Sequence, residues 1–201
     1  MSLIDRVKNI LLSPKTEWAK IDAEEGSTMG LFTGYAMILA ALPIVGTLLA
    51  FALSFGPYRY FGMNYFLVSA IASYVIGLGI LYLMGIIANA LAPSFDGAKN
   101  TLSAMKLVVY SATPGWVAGF FGFIPGLNIL LSLAAFGYSA YLLYLGSQAV
   151  MKVPENKAVG YTAVTIIIWI IAFFVITAVI MSILISSIIG TAGLVGAAAY
   201  R

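Results

Sequence analysis

Residues 158–200 read AVGYTAVTIIIWIIAFFVITAVIMSILISSIIGTAGLVGAAAY, and none of them is Asp, Glu, Lys or Arg. The middle of this run is β-branched and aromatic, a composition that in water would suit a strand. Over this length in lipid it is a helix, because a spanning backbone must satisfy its own polar groups. The runs 26–58, 60–95 and 107–151 also lack ionised side chains. A helix needs about 20 apolar residues to cross a bilayer. The first two of these runs hold one crossing each, 107–151 holds two, and 158–200 holds one with a tail. The expected fold is all-α: a polytopic integral membrane bundle of five transmembrane helices preceded by short amphipathic N-terminal helices.

Composition supports lipid as the solvent. The chain is 62% hydrophobic and 8% charged, where a soluble domain carries about 25% charged residues. Cys and His are absent. That excludes disulfides, thiol chemistry and a His-based nucleophile system, and it removes the commonest zinc ligands. The expectation is no catalytic residue, no metal, no cofactor and no nucleic-acid partner. The formal charge of +3 matters through its distribution between loops, not its sum.

The expected organisation is 1–26 as cytoplasmic amphipathic helices, 27–190 as the membrane domain and 191–201 as a small-residue tail outside. Leu3, Ile4, Val7, Ile10 and Leu11 fall on one helical face, and Asp5, Arg6, Lys8 and Asn9 on the other. Ser13-Pro14 restarts a second helix, on which Trp18 and Ile21 share a face. Two readings fit this segment. One is an interfacial anchor with Trp18 at headgroup level; the other is a short helix packed on the protein's own loops.

The expected spans are 28–55, 63–91, 104–123, 129–150 and 159–189. Pro43 should kink the first by freeing the carbonyl of Leu39. Gly56-Pro57 should end it, with an aromatic turn at 58–61. Gly30/Gly34 and Gly115/Gly119 have the small-xxx-small spacing that lets helices approach closely, and they are the candidate faces for a second copy or a membrane-protein partner. Pro114-Gly115 breaks the third span and leaves the carbonyl of Tyr110 without its helical donor. Such breaks line binding sites in transporters and are also ordinary kinks. Pro125, Gly126 and Asn128 form an uncharged hairpin between the third and fourth spans.

Five crossings place Arg6, Lys8, Lys15, Lys20, Lys99, Lys106, Lys152 and Lys157 on one side and Arg59 and Arg201 on the other. Lys and Arg accumulate in cytoplasmic loops, so the N-terminus is expected inside and the C-terminus outside. No ionisable side chain falls at mid-membrane by these bounds. Lys106 lies closest, with a stem long enough to snorkel to the interface. Lys106 and Tyr110, four apart, are the sole base-like neighbourhood. Asp96 and Lys99 read as a solvated helix start.

The pattern resembles the Yip1 family of five-span membrane proteins. The resemblance is carried by Pro14, Trp18 and Ile21, by Tyr110-Ser111-Ala112-Thr113-Pro114, by Ile124-Pro125-Gly126-Leu127-Asn128, and by the Tyr-rich run from Tyr138 to Gly146. It covers nearly the whole chain. The long hydrophilic N-terminal domain and the Asp-x-x-Gly-Pro feature of eukaryotic members are absent, as in prokaryotic members. The resemblance implies a cytoplasmic N-terminus, five helices and a C-terminus outside, with a link to membrane traffic in eukaryotic members. The lack of reactive side chains, with Trp18 and the Gly30/Gly34 and Gly115/Gly119 faces, leads separately to the expectation of a non-enzymatic plasma-membrane protein that organises membrane or partner proteins. The alternative function is a transporter or channel for lipid or small molecules that uses the break at Pro114.

Overall fold

The computed structural model describes the backbone of residues 1–53 and 58–199 and the side chains of 1–53, 67–179 and 182. Gly56, Pro57, the side chains of 58–61, Asn64 and Arg201 lie outside the described residues. All regular structure among the described residues is helical. Helices α1 (Leu3–Leu12) and α2 (Pro14–Ala23) form an N-terminal hairpin. Ser2 caps α1 by accepting from the Asp5 amide, and Pro14 opens α2 with its fixed φ. Helix α3 spans Thr28–Ala52, and α4 spans Tyr58–Leu91. Next come α5 (Thr101–Ser111), α6 (Thr113–Phe120), α7 (Leu127–Ala149) and α8 (Glu155–Ala199). The chain divides into two units, Met1–Thr165 and Ile166–Arg201. The second is built on the remainder of α8, whose Ile167, Ile171, Phe174 and Val175 are exposed.

Among the described residues, four helices are long and apolar enough to cross a membrane: Thr28–Ala52, Leu67–Phe95, Leu127–Ala149 and Glu155–Val179. This corrects the expected five. The segment 104–123 is broken at Ala112 into α5 and α6, with 11 and 8 residues. At about 1.5 Å per residue, neither half by itself covers the roughly 30 Å of a hydrocarbon core, although in series the two run from the Ala98–Met151 end of α7 to the Gly126 turn at its start. Proline at 114 cannot donate to the carbonyl of Tyr110, so the helix stops and restarts there. Its first half, α5, is also the interior of the bundle. Every residue from Ala104 to Ser111 is buried, with α4, α7 and α3 packed around it. Shielded from lipid, it tolerates Lys106, Tyr110 and Ser111. A count of charge-free runs cannot distinguish such a segment from a lipid-facing span.

Two breaks shape α3. A π-helical turn occupies Phe32–Ala36, and the helix pauses at Ala41, two residues before Pro43, where the sequence places a kink. Beyond it, Gly46 lies against the backbone of α6. A Cβ there would stand 2.8 Å from the Gly119 carbonyl oxygen and closer still to that of Phe120, and one on Gly119 would meet Pro43 Cγ at 2.7 Å. Gly119 therefore serves an internal contact, which removes it from the face expected to meet a partner. Gly46→Ala should destabilise the bundle by about 1–3 kcal/mol, because backbone atoms cannot rotate away from an added methyl. Thermal unfolding in detergent micelles reads this, with Gly34→Ala as the control, since a Cβ at Gly34 meets nothing within 4 Å.

The turn into α7 requires Gly126, whose φ is +83°. The Asn128 amide donates to the Ile124 carbonyl at 3.2 Å. At the other end of α7 the Ala98 amide donates to the Met151 carbonyl at 2.7 Å, joining two loops. Asn100 caps α5, and Asp96 pairs with Lys157 at 2.5 Å, so the helix-start reading of this region acquires a partner across the loop. The stretch after Gly190, expected as a tail, continues α8 to Ala199.

Candidate functional site

Charges missing from the spans reappear inside the N-terminal junction. Arg6 on α1 is 6% exposed and Glu17 on α2 is 0% exposed. Arg6 Nη1 donates to Glu17 Oε1 at 2.6 Å, and Arg6 Nη2 donates to Glu24 Oε1. Lys20 Nζ lies 3.4 Å from the other Glu17 oxygen. The Arg6 guanidinium also sits 5.5 Å from the centre of the Tyr110 ring, within cation–π range. From α5, Lys106 Nζ donates to the Ile21 carbonyl at 2.7 Å and to the Glu24 carbonyl. These are unpaired acceptors at the end of α2, where the helix dipole favours a cation. Lys106, expected to snorkel toward solvent, is instead buried and holds the hairpin onto the bundle.

An aromatic cluster continues the junction. Trp18 is 1% exposed and meets Tyr110 edge-on at 6.2 Å. Tyr110 in turn meets Tyr35 of α3 at 4.8 Å. The Trp18 ring fits over Gly146 of α7, where a Cβ would lie 2.6 Å from both the ring and Leu107. This corrects Trp18 as a headgroup anchor: its ring lies within the protein, and its buried Nε1 has no hydrogen-bond partner among the described residues. Ile21 is buried beside it on the same face.

Below this lies the joint between α5 and α6. The Tyr35 hydroxyl, from the π turn, and the Thr113 hydroxyl share a hydrogen bond of 2.9 Å. Thr113 and Pro114 are buried. The π turn presents Tyr35 to the helix break, and π-bulges recur at functional positions. Removing the hydroxyl with Tyr35→Phe leaves Thr113 buried without this partner, for an expected loss of about 1–3 kcal/mol. A double-mutant cycle with Thr113→Val measures the coupling, and strict additivity would mean the two groups do not interact.

Of the residues marked from sequence, Trp18, Tyr110 and Pro114 fall in or beside this junction. Pro125, Gly126 and Asn128 form the separate turn into α7. Gly30 and Gly115 are not packed on other elements: a Cβ on Gly30 would touch its own cap at Ser27, and one on Gly115 would meet nothing within 4 Å. Sequence reasoning missed Arg6, Glu17 and Glu24. The helical pattern places Arg6 on the face opposite the apolar one, yet Arg6 and Ile10 are the buried residues of α1, while Ile4 is 75% exposed. The signal was the pairing of an arginine with Glu17 and Glu24 on a short amphipathic segment beside spans that carry no counter-charge.

Apolar helices of spanning length around a buried, kinked inner segment define a polytopic α-helical integral membrane protein. The profile of the Yip1 domain matches residues 8–179, and the chain belongs to that family. Inner membrane protein YohC of Escherichia coli K12 is 22% identical over 182 residues, covering 87% of this chain and 93% of YohC. YohC of Escherichia coli O6:H1 matches to the same extent. No solved structure matches the chain.

Proposed function

We propose that this chain is a non-enzymatic membrane scaffold that organises partner proteins within the bilayer. The observation that carries the reading is the packed state of the helix break. A transport path through Pro114 needs space there, and the position is filled by Tyr35, Thr113 and Pro114 itself. Lys106, one half of the base-like neighbourhood, has its amine committed to two backbone carbonyls. The exposed Gly30/Gly34 edge of α3 is the surface left for a partner helix, and Gly115 offers a second point of close approach.

The membrane is a prokaryotic plasma membrane in this reading, as the name of YohC indicates for that relative. The N-terminus is cytoplasmic. Lys152 pairs with Asp22, Lys157 with Asp96, and Lys106 with the end of α2, so these basic residues gather at the end of the first unit that holds the hairpin. Basic residues mark the cytoplasmic side.

Cross-linking and native mass spectrometry in lipid nanodiscs test the scaffold. A partner or a second copy should be captured, and Gly30→Leu with Gly34→Leu should abolish the capture. A strictly monomeric chain in native membranes would end the proposal. The second reading, transport, draws on the same helix break. It requires solute or lipid flux in proteoliposomes that changes in Pro114→Ala.

A further inference from the structure

The outer face of helix α1 is mixed, exposing Ile4 and Leu12 together with Asp5 and Lys8. The helix turns Arg6 inward, together with Ile10, and turns Ile4 and Leu12 outward at 75% and 71% exposure. Ile4, Lys8 and Leu12 follow one another at i, i+4 and i+8, so they form a single outer stripe. In water this arrangement is unfavourable on both counts, since a charge is desolvated and two large aliphatic side chains are wetted. Hydrocarbon on the outer face removes the second cost.

A second observation gives the depth. The Tyr138 hydroxyl donates to the Leu11 carbonyl at 2.7 Å, and Tyr138 lies near the middle of the 23-residue α7. The other end of the hairpin meets the loop after α7, where Lys152 binds Asp22 at 2.6 Å. The hairpin therefore runs alongside the half of α7 that leads to Lys152. Lys8 within the stripe and Lys15 just past the Ser13-Pro14 bend are exposed, and their stems are long enough to reach phosphates from an apolar surface.

We propose that the outer face of α1, formed by Ile4, Lys8 and Leu12 with Lys15 just past the bend, is seated in the headgroup–acyl boundary of the adjoining leaflet and recruits acidic phospholipid. Ile4 and Leu12 contact acyl chains, and the two lysines bind lipid phosphate. This surface is separate from the Trp18 face, which the protein itself covers. It depends on the chain being embedded in a membrane and not on the scaffold role.

The chain contains no cysteine, so single cysteines introduced at chosen positions carry a fluorophore without background. Ile4→Cys and Leu12→Cys are compared in nanodiscs with Val68→Cys on the exposed face of α4 and Glu25→Cys in the loop after α2. Labels at 4 and 12 should be quenched by brominated lipid as strongly as the label at 68 and should resist a water-borne quencher. The label at 25 should behave oppositely. With brominated phosphatidylglycerol in a phosphatidylcholine background, Lys8→Gln and Lys15→Gln should each weaken preferential quenching at position 12 about fivefold. The label at 68, unchanged in these variants, verifies the fold. Quenching at 4 and 12 from water alone overturns the proposal. So does protection from both quenchers, which would mean a protein covers the face. Equal quenching by acidic and zwitterionic lipid overturns the recruitment of acidic phospholipid.

Discussion

Arg6→Ala should loosen the N-terminal hairpin by about 3–5 kcal/mol, the usual cost of stripping one member from a buried ion pair. Glu17 is fully buried, and with Arg6 gone the nearest cation is Lys20, 3.4 Å from one oxygen and itself mostly exposed. Glu24 and the Tyr110 ring lose the guanidinium at the same time. The deficit should appear as trypsin cleavage at Lys8, Lys15 and Lys20 under conditions in which the native hairpin is protected, together with a lower unfolding temperature in detergent. Arg6→Lys keeps the charge but not the two-pronged geometry that spans Glu17 and Glu24, so it should fall between. Arg6→Met combined with Glu17→Gln should recover much of the loss, because the isolated charge is then removed as well. The network does not have to add net stability over an apolar junction. Its contribution is to make one docked arrangement of the hairpin far better than its neighbours. Native protease resistance in Arg6→Ala would remove the ion pairs as the reason for docking.

Trp18→Ala should cost about 3–5 kcal/mol, the range for deleting a large aromatic side chain from a packed interior. The cavity would open between α2, α5 and α7, because the ring bridges Tyr110 and Gly146. Its size should be independent of lipid composition. A tryptophan at the headgroups would behave differently: the loss would be small, and it would change with the lipid. Unfolding in two nanodisc compositions separates the cases. Filling the same space from the other side by Gly146→Leu should displace the ring and raise proteolysis of the hairpin. Unchanged stability in Trp18→Ala would contradict the packed position of the ring.

The legible part of the fold rests on solvent. Long runs without Asp, Glu, Lys or Arg have one comfortable environment, and helices are how a chain fills it. The breaks at Pro43 and Pro114 were readable for a similar reason, since proline removes a donor wherever it occurs. The turn at Gly126 was readable because few other residues adopt its positive φ. The site was much less legible. Gly119 has the same spacing as any partner-seeking glycine, and only the position of Pro43 shows that its contact lies within the chain. Lys106 has the stem of a snorkelling lysine, and only the end of α2 shows where its amine goes.

By itself, then, the sequence determined the class of the protein: an all-helical chain dissolved in lipid, punctuated at its prolines, with membership of the Yip1 family visible in its motifs. These properties are local, because hydropathy and backbone freedom are set residue by residue. Tertiary structure decided which segment became the interior, that α5 is shielded and joined to α6 at a kink, and that the first helix turns Arg6 in and Ile4 and Leu12 out. Those outcomes depend on contacts between residues as distant as Lys106 and Ile21 or Tyr138 and Leu11. A side chain's periodicity states which neighbours share its face, while the identity of the medium on that face is set by what the rest of the chain packs there.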